Sequence, residues 1–136
     1  MTSKVTYLGG LRTEAEHLKS GIKIVTDAPT DNNGKGEAFS PTDLVATALG
    51  SCMMTIMGIA ARNHEIDMEG TELTVNKIME SDPRRIGKIE IVMTMPANNY
   101  STKERKILEA AAHGCPVGNT IKEGIEDVQI VWLDDK

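Results

Sequence analysis

With 136 residues, 40% of them hydrophobic and 26% charged, the chain is long enough to bury a core and has the composition of an ordinary soluble protein, so one domain over residues 1–136 is expected. A net charge of -5 and an aromatic stock of Phe39, Trp132, Tyr7 and Tyr100 exclude the basic, stacking surface that general nucleic-acid binding needs. The core must instead be aliphatic, with eight methionines to fill irregular gaps.

The first ten residues, MTSKVTYLGG, hold no apolar leader run, so a cytoplasmic protein with reduced thiols is expected. Residues 4–8, Gly9-Gly10 and residues 11–19 read as two strands joined by a tight glycine turn. In residues 21–27, Ile22 and Ile24 alternate with Lys23, giving a third strand. Residues 28–38 are a loop by composition. Its Gly34-Lys35-Gly36 lacks the spacing and the following Ser/Thr of a phosphate loop, and reads as a connector.

Next comes a helix with Ser40 as N-cap, Pro41 at its first position and acidic Asp43 in its first turn, ending near Asn63-His64. From Leu44 to Ala61, eighteen residues carry no charge, which meets the lower length for a membrane span. Thr47, Gly50, Ser51, Thr55 and Gly58 dilute that run, and neither a flanking Lys/Arg cluster nor an aromatic belt accompanies it, so no membrane role is expected. A helix without a polar face must be covered all round. A sheet on one side and a partner subunit on the other would do so, which implies a homodimer.

Residues 72–80 alternate as a strand and Asp82-Pro83 starts a turn. In residues 86–95, Ile89, Ile91, Met93 and Met95 lie on one face, with Lys88, Glu90 and Thr94 on the other, as in a half-buried antiparallel hairpin. A capping box, Ser101-x-x-Glu104, opens a second helix that runs to Ala112 and stops at Gly114. Cys115-Pro116 starts a short third helix ending near Gly124, and residues 128–133 form the last strand. The order βββ-α-ββ-αα-β predicts an α+β fold: an antiparallel sheet of about six strands around a long buried helix.

The two cysteines divide on local grounds. Cys52 sits mid-helix with no charge in its own turns, and is either a small core residue or a nucleophile activated from elsewhere. Cys115, as an N-cap ahead of Pro116, faces unpaired backbone N–H groups that favour a thiolate, which makes it the more acidic thiol locally. The alternative is a tight turn in which Cys replaces Ser or Asp. His113, two residues before it, reads as a surface histidine. Cys52, Cys115, His17, His64 and His113 show no C-x-x-C or H-x-x-x-H spacing, so no metal site is expected.

The helix start Ser40-Pro41-Thr42-Asp43-Leu44 with Gly50-Ser51-Cys52 at its centre, and the C-P-V motif in His113-Gly114-Cys115-Pro116-Val117, resemble the osmotically inducible protein C and organic hydroperoxide resistance (OsmC/Ohr) superfamily, in its OsmC-like branch. With the element order, the similarity spans nearly the whole chain. It implies an intertwined homodimer with active sites at the interface and a thiol-dependent peroxidase that reduces organic hydroperoxides in oxidative stress defence. Cys52 would be peroxidatic, passing through a sulfenic acid, and Cys115 resolving, through a Cys52–Cys115 disulfide. No cofactor is implied. An external dithiol, such as a lipoyl protein or a thioredoxin-like donor, would reopen the disulfide. By the same resemblance Arg12 would activate the thiolate, with a carboxylate at the start of the cysteine helix orienting its guanidinium. The aligned position is Thr42 and the acidic residue is the next one, Asp43, about 100° further round the helix. Asp43 therefore reads as orienting carboxylate or as cap, with Glu37 as another candidate. A non-catalytic small-molecule-binding or thiol-sensing dimer is the alternative function.

Overall fold

The computed structural model describes residues 1–121 and 123–133. The chain forms two compact units, Met1–Val45 and a second from Ala46 onward.

In the first unit, β1 (Ser3–Gly9), β2 (Arg12–His17) and β3 (Lys23–Asp27) make an antiparallel sheet in that order. Gly9 and Gly10, at φ +83° and +62°, supply the left-handed backbone that the β1–β2 turn requires. β2 is shorter than the expected 11–19, because the chain leaves the ladder at His17 to turn through residues 18–21. The register Val5–Ala15–Ile24 puts an apolar row on one face, and Val5 and Ile24 stand 61% and 47% exposed in the single chain. The loop after β3 contains one 3-10 turn, Thr30–Asn32. A Cβ on Gly34 would overlap the Ala28 carbonyl, so this loop closes only around glycine.

Helix α1 runs Pro41–Asn63. Its start is a reciprocal cap: Ser40 N–H donates to Asp43 (3.0 Å) and Asp43 N–H donates to Ser40 Oγ (3.0 Å). Within the second unit, Ala46, Leu49, Gly50, Met53, Met57 and Ala61 bury one stripe of α1. Gly50 lets Leu73 and Val75 of β4 (Glu72–Glu80) approach the helix backbone. β5 (Arg85–Met95) pairs antiparallel with β4 and sends Ile89, Ile91, Met93 and Met95 into the same core, as its alternation predicts. On length and composition alone α1 could cross a membrane, but this stripe is the centre of the second unit's core.

The expected six strands are present, yet as two three-stranded sheets rather than one. The last pairing also departs from the antiparallel expectation, since β6 (Glu126–Trp132) runs parallel to β5. Two helices, α2 (Thr102–Ala112) and α3 (Pro116–Thr120), carry the chain back across before β6 begins, the kind of connection parallel strands need. α3 ends at Thr120, well short of Gly124, and β6 starts two residues before the expected 128. The Ser101–Glu104 capping box is fully formed. At the end of β5 and β6, Tyr100 meets Trp132 edge-on at 5.4 Å between centroids, and Arg105 lies over the same indole at 5.1 Å.

Met57 is fully buried in this core. Met57→Ala is expected to destabilise the protein by about 2–5 kcal/mol, read as a lower urea midpoint with an unchanged slope.

Candidate functional site

Two clusters contain the residues singled out by the sequence, one in each unit. In the second, α1 carries Cys52, half-buried, against the core that includes Cys115. Cys115 is 2% exposed and caps α3, with Gly118 N–H donating to its sulfur at 3.2 Å and Pro116 at the first helical position. The two thiols are unbridged, and Cys52 packs against the core cluster that contains Cys115, near enough to influence its ionisation.

Local reasoning made Cys115 the more acidic thiol, and the fold reverses this. Burial raises its pKa above the ordinary thiol value and outweighs the Gly118 N–H, which acts in the opposite direction. The neighbouring Cys52 and the negative charge of Glu126 raise it further. α3 is five residues long, so the helix end adds little to counter this. Cys115 is a thiol that keeps its proton. Glu126, at the start of β6, had no signature in the sequence, because it reaches Cys115 only through the crossover that folds β6 beside β5. His113 is exposed at the end of α2. Among the described residues, no three His, Cys, Asp or Glu side chains are grouped to hold a metal ion.

In the first unit, Arg12 begins β2 and faces Asp27, its partner across the β2–β3 ladder. Its Nε donates to Asp27 Oδ1 (2.7 Å) and one terminal nitrogen donates to Oδ2 (2.8 Å), a two-pronged carboxylate grip. The same terminal nitrogen donates to Glu37 (3.1 Å), whose own N–H donates to Asp27 (3.1 Å). Asp27, with Glu37, grips the guanidinium, while Asp43 accepts from the Ser40 N–H at the start of α1, the capping reading of that residue. A signal for Asp27 was available. Strands turning through residues 18–21 pair residue 12 with residue 27, which sets opposite charges across the ladder.

Asp27 is 1% exposed, and hydrogen bonds from Arg12 hold its carboxyl below the ordinary carboxylate range against the opposing effect of burial. Because the folded pKa is the lower one, the stabilisation is complete above the unfolded value of about 4 and is lost as pH falls through the folded value. Asp27→Asn should therefore unfold at lower urea than the parent at pH 7, with the gap narrowing below about pH 4. An equal gap at pH 7 and pH 3 would show that charge is not what Asp27 contributes.

The OsmC-like protein family model matches residues 34–127. A solved protein from Psychrobacter arcticus 273-4, provisionally assigned to the osmotic stress and detoxification response, is 50% identical, with a TM-score of 0.89 over 98% of this chain and 96% of that one. The Legionella pneumophila organic hydroperoxide resistance protein OsmC is 23% identical, with a TM-score of 0.68 over 97% and 96% of the two chains. A provisionally assigned organic hydroperoxide resistance protein of Vibrio cholerae, solved with captopril in one of its active sites, is 16% identical with a TM-score of 0.71, over 97% and 91%. At these two lower identities the likeness is one of fold. No curated protein matches the chain by sequence. Two agreements decide the family, a matching model that takes in both cysteines and a half-identical solved relative aligned almost end to end: the chain belongs to the OsmC-like protein family.

Proposed function

We propose that the protein is a cytoplasmic thiol-dependent peroxidase that reduces organic hydroperoxides in oxidative stress defence. The observation that carries this reading is that Cys52 packs against the same core cluster as Cys115, both as free thiols. The Cys52 thiolate attacks the terminal peroxide oxygen, the O–O bond breaks, and the alkoxide leaves to take up a proton as the alcohol. Cys52 is then a sulfenic acid. The Cys115 sulfur bonds to the Cys52 sulfur, the S–O bond breaks, and hydroxide departs with the Cys115 proton as water. An external dithiol of the lipoyl or thioredoxin-like kind reduces the disulfide and is itself oxidised. No metal or organic cofactor takes part. The methionine and aliphatic side chains packed around Cys52 suit an organic rather than an aqueous peroxide.

Arg12 is assigned the activation of Cys52, and the carboxylate pair Asp27 and Glu37 fixes its guanidinium in one orientation. The working form is a homodimer. In support, Val45 and Ile59 on α1 stand 44% and 53% exposed in the single chain, and the Val5–Ile24 face of the first sheet is open too. A second reading, a dimer that binds or senses a small thiol-bearing molecule, draws on the captopril, itself a thiol, held by the Vibrio cholerae protein.

The purified protein should consume cumene hydroperoxide in the presence of a dithiol, and Cys52→Ser should reduce turnover to the uncatalysed rate. Wild-type turnover no faster than that of Cys52→Ser would overturn the proposal. One equivalent of peroxide should remove both free thiols without intermolecular crosslinks, whereas survival of both would favour the binding reading. Sedimentation equilibrium is expected to give twice the mass of the chain, and a monomer would remove the dimer from the proposal.

A further inference from the structure

Glu126 is a half-buried carboxylate that the reaction described above leaves without a task. It sits at the first residue of β6, opposite Ile89 of β5, and the Ile89 N–H donates to the neighbouring Ile125 carbonyl at 2.8 Å. Its position is therefore fixed by the sheet. Its side chain reaches the turn that holds Cys115. A Cβ built on Gly118 would lie 2.6 Å from Glu126 Oε1 and 3.1 Å from Cys115 Sγ, so both atoms press on the space that glycine leaves empty. Gly118 thus gives its N–H to the sulfur and, by having no side chain, admits a carboxylate beside it.

We propose that Glu126 is a positioning residue for the thiol pair: its negative charge beside Cys115, admitted by Gly118, keeps Cys115 as the neutral thiol and so leaves Cys52 as the sulfur that meets the oxidant first. The part about oxidant rests on the peroxidase reading; the effect on Cys115 does not. Other groups near Cys115 do not supply the same bias. Cys52, from α1, becomes neutral in charge once it is oxidised to a sulfenic acid and then ceases to repel a Cys115 thiolate. His113 and Glu123, which line a cavity of about 590 Å³ together with Gly118 and Glu126, are solvent-exposed. The β5 side chains packed in this core are apolar. Glu126 is the charge that persists through the cycle. Keeping the proton on Cys115 also serves the second step, in which that proton leaves with the sulfenic hydroxyl as water.

The test is the pH titration of Cys115 in the Cys52→Ser protein, where it is the remaining cysteine, followed by the 13C shift of its labelled Cβ, which needs no reagent access. Glu126→Gln should move the midpoint down by about one pH unit or more, the order expected for losing a unit charge at this range in a partly buried site. Glu126→Asp, which keeps the charge, should return it toward the parent. With Cys52 restored, a sulfenic-acid probe given with one equivalent of cumene hydroperoxide should label Cys52 alone in the parent and both cysteines in Glu126→Gln. A midpoint unchanged in Glu126→Gln, with the urea midpoint also unchanged, would overturn the proposal even if the enzyme turns over normally. A shifted midpoint in a protein without peroxidase turnover would uphold the electrostatic role of Glu126 and remove the peroxidase reading instead. Should Glu126→Gln fail to fold, Glu126→Ala, which also removes the charge, decides: its midpoint should fall in the same direction, and an unchanged midpoint would count against the role.

Discussion

Eighteen consecutive uncharged residues make a poor surface for water, and the second unit of this protein buries one stripe of that run at the centre of its core. The buried stripe of α1 meets the alternating inward face of β5, and α2 closes the same core through Leu108 and Ala112. Full burial of Leu49, Met53 and Met57 contributes on the order of 2 kcal/mol each. Against a net stability of about 5–15 kcal/mol for a typical domain, three such side chains decide whether the unit folds. Small residues on the helix are part of the same solution. Gly50 has no side chain where Leu73 and Val75 come in, so the strand lies close to the helix axis.

Two carboxylates illustrate how environment, not residue type, assigns a role. Asp27 is removed from water, yet it stays ionised because the Arg12 fork and the Glu37 N–H satisfy its oxygens. Asp43 has a short range of action and stabilises the exposed donors of a helix start. Sequence neighbours of Cys52 offer it no charge, so the activation proposed for it has to come from residues distant in sequence.

Much of this was legible in the chain itself, and the limits have physical causes. Period-two alternation located β4 and β5 nearly to the residue, and the Ser101–Glu104 pair announced α2, because both signals are local. Pairing is not local. Nothing in residues 128–133 says that their partner is β5 or that the two run parallel, since that depends on where α2 and α3 pack. The same limit explains the thiols. A helix-start argument made Cys115 acidic, and what it omitted was burial, the larger effect, which only the assembled core reveals. Arg12 was visible as a candidate, whereas Asp27 needed the register of β2 against β3.

The parallel β5–β6 pairing carries a consequence for assembly. A hairpin such as β4–β5 can zip from its turn, but β6 reaches β5 only after roughly thirty residues of crossover have closed, with the entropy cost that loop closure imposes. Cys115 lies inside that crossover and Cys52 lies well before it. Until the crossover docks, the two sulfurs are remote points on a chain, each with the ordinary reactivity of an exposed thiol. Their proximity is therefore a property of the finished fold, and any opening of the second unit that frees the crossover dissolves the pair while the hairpin persists.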